Sequence, residues 1–197
     1  MRSENLAADP QAYATHETLR DGAKILIRAI RPGDKQLLLE HFRGLSPASV
    51  HNRFFAMRRD LSDADLARLT ELDFHDHVGL AATLGEAGSE RFIGVGRYIR
   101  GANPGRAEVA FAVLDEYQGH GIATLLLEHL AHIARAQGIG EFHADVLADN
   151  QSMLGVFEQS GFSIHRATAD GVVHLVFPIA DSAPPDDPRH NRREPRQ

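Results

Sequence analysis

Residues 107–137 constrain the fold more than any other stretch. In the segment Ala107-Glu108-Val109-Ala110-Phe111-Ala112-Val113, Val109, Phe111 and Val113 alternate with Ala110 and Ala112, the two-residue period of a strand. After Leu114-Asp115-Glu116-Tyr117 comes Gln118-Gly119-His120-Gly121, a loop with two glycines. Ile122, Leu126, Leu130 and Ile133 then recur at helical spacing, which predicts a helix from about 121 to 137, ended by Gly138. A strand that feeds through a short loop into a long amphipathic helix is a unit of layered α/β folds.

The flanking pattern agrees. Residues 24–29 read as a strand, and Pro32-Gly33 opens a helix running to about 42. Ser46-Pro47 starts another helix, with serine as N-cap and proline at its first position. Ser62 caps a third, carrying Leu66, Leu69 and Leu72 on one side. Residues 78–84 and 91–98 are strand-like around the turn at 85–88, and a second turn at 101–105 leads into 107–113. Residues 142–147 predict a strand, and 151–159 a helix stopped by Gly161. Residues 162–166 and 172–178 pair around Asp170-Gly171, a strong hairpin turn. Hairpins mixed with helical crossovers imply an α/β layer fold on a mixed sheet.

The chain has 197 residues, 43% of them apolar, which suits one globular domain with tails. Residues 1–22 lack periodicity and read as a flexible arm, 23–180 as the domain. Residues 181–197 hold four of the nine prolines and no large aliphatic side chain, so they read as a disordered tail. The net charge of −6 argues against a chain-wide nucleic-acid footprint. No apolar run approaches the ~20 residues of a membrane span, and the N-terminus lacks an apolar signal region. The absence of cysteine removes disulfides, thiolate metal sites and a cysteine nucleophile, and fits a reducing compartment. The expected location is the cytoplasm.

The loop before the long helix carries the chemistry. Amides at a helix start have no internal partner, and the macrodipole is positive there, so the turn suits an anion such as a diphosphate. Gly119 and Gly121 allow close backbone approach. No Lys-Ser/Thr follows the glycines and the G-x-G-x-x-G spacing is absent, so neither common nucleotide fingerprint fits. Taken alone, a glycine turn that merely caps the helix explains the loop equally well.

The loop has company. Q-x-x-G-x-A at 118–123, after the strand Ala-Glu-Val-Ala-Phe, resembles the acyl-CoA signature of the GNAT N-acetyltransferase superfamily. Asn150-Gln151-Ser152-Met153-Leu154 with Phe157-Glu158-Gln159-Ser160-Gly161-Phe162 resembles its later N-x-x-M…GF block. Ile27-Arg28-Ala29-Ile30-Arg31-Pro32-Gly33-Asp34 and Ser46-Pro47-Ala48-Ser49-Val50-His51-Asn52-Arg53-Phe54-Phe55 look like the opening of the branch that holds the Pat-type bacterial protein lysine acetyltransferases. The resemblance covers about residues 24–179.

It implies a mixed, mostly antiparallel sheet of about six or seven strands, splayed in the middle and flanked by helices on both faces. It also implies acetyl-CoA as cosubstrate, no metal, and direct transfer of an acetyl group to a primary amine, a protein lysine or a small molecule. The coenzyme diphosphate then falls on Gln118, Gly119, His120, Gly121, Ile122, Ala123 and Thr124. Its pantetheine arm falls beside Val113, Leu114 and Asp115 as an added strand. Asn150 matches a family asparagine near the coenzyme, and serves equally as an N-cap for the helix from Gln151.

Glu108 is the candidate general base. It shares a strand face with Ala110 and Ala112, which leave space beside it, and glutamate is uncommon inside strands; a solvated strand face is the competing reading. Many family members place a tyrosine where this chain has Phe157, so the usual general acid is missing. That departure keeps open a second function, a non-catalytic acyl-CoA sensor. Transfer to an antibiotic or polyamine is a third. His129 and His132, at i and i+3, read as a polar helix face rather than a metal pair, since no third ligand is evident. Arg53-Phe54-Phe55 either line the acceptor pocket or pack a helix. The acceptor and the choice between monomer and dimer stay open.

Overall fold

A computed structural model describes residues 9–86 and 88–180. The calls on 1–8 and on the tail 181–197 lie outside the described residues. Eight strands form one sheet: β1 (Ala14–Thr18), β2 (Lys24–Ala29), β3 (His77–Leu84), β4 (Arg91–Arg100), β5 (Arg106–Val113), β6 (Glu141–Leu147), β7 (His165–Ala169) and β8 (Val172–Pro178). Among the described residues five α-helices join them: α1 (Lys35–Gly44), α2 (Pro47–Phe54), α3 (Asp63–Thr70), α4 (Ile122–Ala136) and α5 (Gln151–Glu158). The spatial order is β1-β2-β3-β4-β5-β6-β8-β7. Every neighbouring pair is antiparallel except β5 with β6.

That exception shapes the molecule. β5 and β6 are in register at three positions, Arg106 with Glu141, Ala107 with Phe142 and Glu108 with His143, and then part. Beyond Glu108, β5 pairs with β4 alone and β6 with β8 alone. The sheet therefore splits at Glu108, leaving one edge of residues 109–113 without a strand partner.

α4 crosses one face close to the sheet because β4 carries glycines beneath it. A Cβ on Gly94 would stand 2.7 Å from Ile122 Cγ2, and one on Gly96 2.8 Å from the Phe111 ring. Val109, Phe111 and Val113 are buried on the α4 side, as the strand alternation requires. Ser46 caps α2 by accepting from the Ser49 amide, and Ser62 forms a capping box with Asp65. Asp170 and Gly171 both take positive φ, 51° and 78°, in the turn between β7 and β8.

Two segments differ from the expectation. Residues 14–18, read as part of a loose arm, are an eighth strand on the edge of the sheet. The segment lacks alternation, and its anchors lie just outside it: Tyr13 and Leu19 are buried, the Tyr13 hydroxyl bonds to His129 Nδ1, and Glu17 lies 3.3 Å from His129 Nε2. His129 is thus covered by this hairpin rather than set on a solvated face. The strand expected at 162–166 begins at His165 instead. Phe162 precedes it and stacks on Phe177 at 5.4 Å, so the apolar residues that suggested a strand serve as a packing plug.

His41 on α1 is 3% exposed, with Nδ1 3.1 Å from the Phe92 carbonyl and Nε2 without a hydrogen bond. Burial pushes its pKa down to about 4. A group that folds neutral binds fewer protons than its unfolded form between those limits, so stability is complete above pH 6.5 and falls as pH drops toward 4. The expected loss is on the order of 3 kcal/mol by pH 4. Urea unfolding at pH 7 and pH 4.5 checks it: His41→Leu should show a flatter pH slope than the parent chain.

Candidate active site

The split in the sheet opens a cleft of about 910 Å³, toward the large end of ligand sites. Its floor is the free edge of β5, its far wall Ala144, Val146 and α5, its near wall α2, and one end is the loop before α4. No helix of the described residues is long and apolar enough to cross a membrane.

The loop is built as an anion cradle. Gly121 is the N-cap of α4 with φ +88°, and Gly119 has φ +79°, left-handed conformations that glycine adopts without strain. Among the described residues, no hydrogen bond takes the N–H groups of residues 119–124. Gly119, Gly121, Ile122, Ala123 and Thr124 all line the cleft. Gln118 fixes the loop: its Nε2 donates to the Val113 carbonyl and to Ser49 Oγ, both at 3.2 Å. Asp115 accepts from the Ser46 amide and from the Ser46 and Ser49 hydroxyls at 2.7–3.0 Å. Partial burial opposes ionisation of its carboxyl, but those bonds win and hold it below the ordinary range. Asp115 therefore ties α2 to the loop.

Two of the expected contacts are arranged differently. Leu114 is 1% exposed and does not line the cleft; its Cδ2 packs over Gly44. His120 turns its Nδ1 back to the Gln118 carbonyl at 3.0 Å and likewise lies off the cleft wall. Val113, Asp115, Gln118 and Asn150 do line the cleft. Asn150 also accepts from the Met153 amide at 3.1 Å and so caps α5.

Arg20 is a cleft residue that the sequence pattern did not suggest. It sits in the turn between β1 and β2, with Nε 3.7 Å from where a Cβ on Gly121 would stand. Only the unforeseen hairpin brings it to the loop.

Glu108 lies at the parting of β5 and β6, with Ala110 and Ala112 beyond it on the same cleft wall. It is solvent-exposed. Arg53, Phe54 and Phe55 line the cleft, and Phe54 also packs edge-on to Phe42 at 5.7 Å. Loss of hydration holds the Arg53 guanidinium below its ordinary pKa, while Glu108 facing it works the other way. Phe157 is buried, 6.1 Å from Phe111 and 5.5 Å from Phe177 by ring centres, with one side on the cleft. Such a site offers amides for an anion, a free strand edge for an extended chain, and a carboxylate where the two strands part.

Comparison with known proteins agrees with this geometry. Residues 48–162 match the model of the acetyltransferase (GNAT) family. The chain is 32% identical over 162 residues to acetyltransferase PA5475 of Pseudomonas aeruginosa, covering 81% of this chain and 87% of that one. It is 35% identical over 144 residues to acetyltransferase Pat of Mycolicibacterium smegmatis, of whose length it spans 42%. The crystal structure of the GNAT domain of S. lividans PAT superposes with a TM-score of 0.77 at 41% identity, covering 84% of this chain and 96% of that domain. The chain belongs to the acetyltransferase (GNAT) family, and within it is a Pat-like GNAT-type N-acetyltransferase.

Proposed function

We propose that the cleft binds acetyl-CoA and passes its acetyl group directly to a primary amine, a protein lysine or a small molecule. The unpaired amides of residues 119–124 at the start of α4 carry the reading. They receive the diphosphate, and Arg20 adds a side-chain cation at the same place. The pantetheine arm extends the sheet along the free edge of residues 109–113. This lays the thioester toward Glu108, with the acceptor entering past Arg53 and Phe55.

The amine arrives as an ammonium and must lose a proton. Glu108, directly or through a water, accepts it. The nitrogen lone pair then attacks the carbonyl carbon, the C–S bond breaks as the thiolate leaves, and the second proton of the now cationic nitrogen passes to the departing sulfur or to water, which leaves a neutral amide. A thiol with a pKa near 8.5 is a good leaving group without a dedicated acid, so Phe157 in place of a phenol does not stop the reaction. Without a cysteine, the transfer passes through a ternary complex rather than a cysteinyl intermediate.

Isothermal titration with acetyl-CoA, followed by thiol release over an amine panel, tests the proposal. Saturable binding and amine-dependent release are expected; no heat at millimolar acetyl-CoA refutes it. The buried phenyl ring of Phe157 favours a second reading, an acyl-CoA sensor. That reading predicts tight binding with no thiol release on any amine.

A further inference from the structure

Phe157 takes no part in the proposed proton transfers, yet two cavities meet at its ring. Met153, Val156 and Phe157 of α5 line the cleft. Leu154, Phe157 and Glu158, at i, i+3 and i+4 on the next face of α5, line a second cavity of about 200 Å³. Phe162, Ile164, Arg166 and Leu175 form its other walls. The lining is apolar apart from Arg166 and Glu158, which pair at 3.1 Å with more than half of each side chain exposed, and so mark the solvent side. Among the described residues, Phe157 alone borders both spaces.

The ring is a fixed partition. It is buried against Phe111 and Phe177. Phe177 is itself held by the stacked ring of Phe162 and by Phe142, edge-on at 6.1 Å. Swinging Phe157 aside would displace rings that are already enclosed in a close-packed interior.

Its place along β5 decides what it can meet. Phe111 is the middle residue of the free edge 109–113, along which the pantetheine arm is proposed to run toward Glu108. Phe111 is buried on the α4 side, and strand alternation puts Glu108 on the other. Phe157 meets Phe111 and so stands on the α4 side. The incoming amine needs the Glu108 side clear. The acyl carbons beyond the carbonyl therefore have the α4 side, where the Phe157 ring closes the way.

We infer that Phe157 sets the length of the acyl donor: its ring ends the cleft behind an acetyl or propionyl group and shuts off the second cavity, where the distal carbons of a longer chain would otherwise lie. This rests on the proposed seating of acetyl-CoA and adds a limit on the acyl group. A closed apolar pocket discriminates by about tenfold or more per methylene, so a fixed ring at this point suffices to exclude a hexanoyl chain.

Calorimetric titration with S-ethyl, S-butyl and S-hexyl coenzyme A reads the limit without turnover, because a thioether cannot transfer its chain. The parent should bind the S-hexyl compound at least about tenfold more weakly than the S-ethyl one. Phe157→Ala should bring that ratio within about threefold. Phe157→Leu should move it the same way, and serves where the alanine variant does not fold. Adding Ile164→Phe to Phe157→Ala refills the second cavity from a position off the cleft, and should restore the parent's ratio. A merely structural role for the ring would weaken all the thioethers alike and leave the ratio unmoved. Thiol release from acetyl-, butyryl- and hexanoyl-CoA, with the amine that takes acetyl fastest, should follow the same order in kcat/KM; if no amine releases thiol, the titration decides. Equal affinity of the parent for the S-ethyl and S-hexyl compounds, a ratio untouched by both Phe157 variants, or a gain that Ile164→Phe leaves in place overturns the inference while acetyl-CoA binding stands. If coenzyme A and every thioether fail to bind, the acetyl-CoA reading falls and the inference with it.

Discussion

Glu108→Gln is expected to lower kcat/KM for the amine about 10²- to 10³-fold at neutral pH, with the acetyl-CoA dissociation constant held within about twofold. An ordinary alkylammonium with a pKa near 10.4 is disfavoured in its reactive form by about 4.6 kcal/mol at pH 7. Glu108 is the carboxylate that lies where β5 and β6 part, on the cleft wall. Glutamine keeps the shape and loses the ability to take the proton. The deficit should shrink as pH rises toward 10, because hydroxide and bulk water then supply the neutral amine. Stopped assays at pH 7, 8.5 and 10, with calorimetry for the coenzyme, measure all three quantities. A rate equal to that of the parent at pH 7 would remove Glu108 from proton transfer.

The neighbourhood of that carboxylate shows how far sequence reasoning reached. Local rules carried the helices. Ser46-Pro47, Ser62 and Gly138 mark boundaries because capping chemistry involves residues within a turn of each other. The alternation of residues 107–113 likewise put Glu108, Ala110 and Ala112 on one face, whereas the cleft runs along the strand's edge and is lined by all of residues 108–113. The strand at 14–18 was invisible because its support is remote: Tyr13 reaches His129, 116 positions later. Arg20 was lost with it. Arg97 carried no signal at all, since a lone arginine between Gly96 and Tyr98 reads as a surface residue until the register brings it beside His77. The parting of β5 and β6 came from family resemblance, and no residue pattern encodes it by itself. Three paired positions followed by divergence are a property of two strands and their outer partners together.

Gly121→Val should weaken acetyl-CoA binding at least tenfold, about 1.4 kcal/mol, and for two separable reasons. The first is conformational. Gly121 holds φ +88° as the N-cap of α4, where an L side chain costs about 1–2 kcal/mol and a β-branched one more. Relief of that strain would turn the amides of the loop away from a common centre. The second is steric. A Cβ at this position meets no backbone; the atom it approaches is Arg20 Nε at 3.7 Å, so it points into the space between the amides and that guanidinium. This is where the diphosphate is proposed to sit. Gly121→Asn separates the two effects, because asparagine tolerates the left-handed region. The asparagine variant should recover most of the thermal stability lost by valine, yet remain weak for acetyl-CoA. Calorimetric titration beside thermal unfolding reads both. Binding by the valine variant as tight as the parent's would mean that the loop before α4 is only a cap, and would place the coenzyme diphosphate elsewhere.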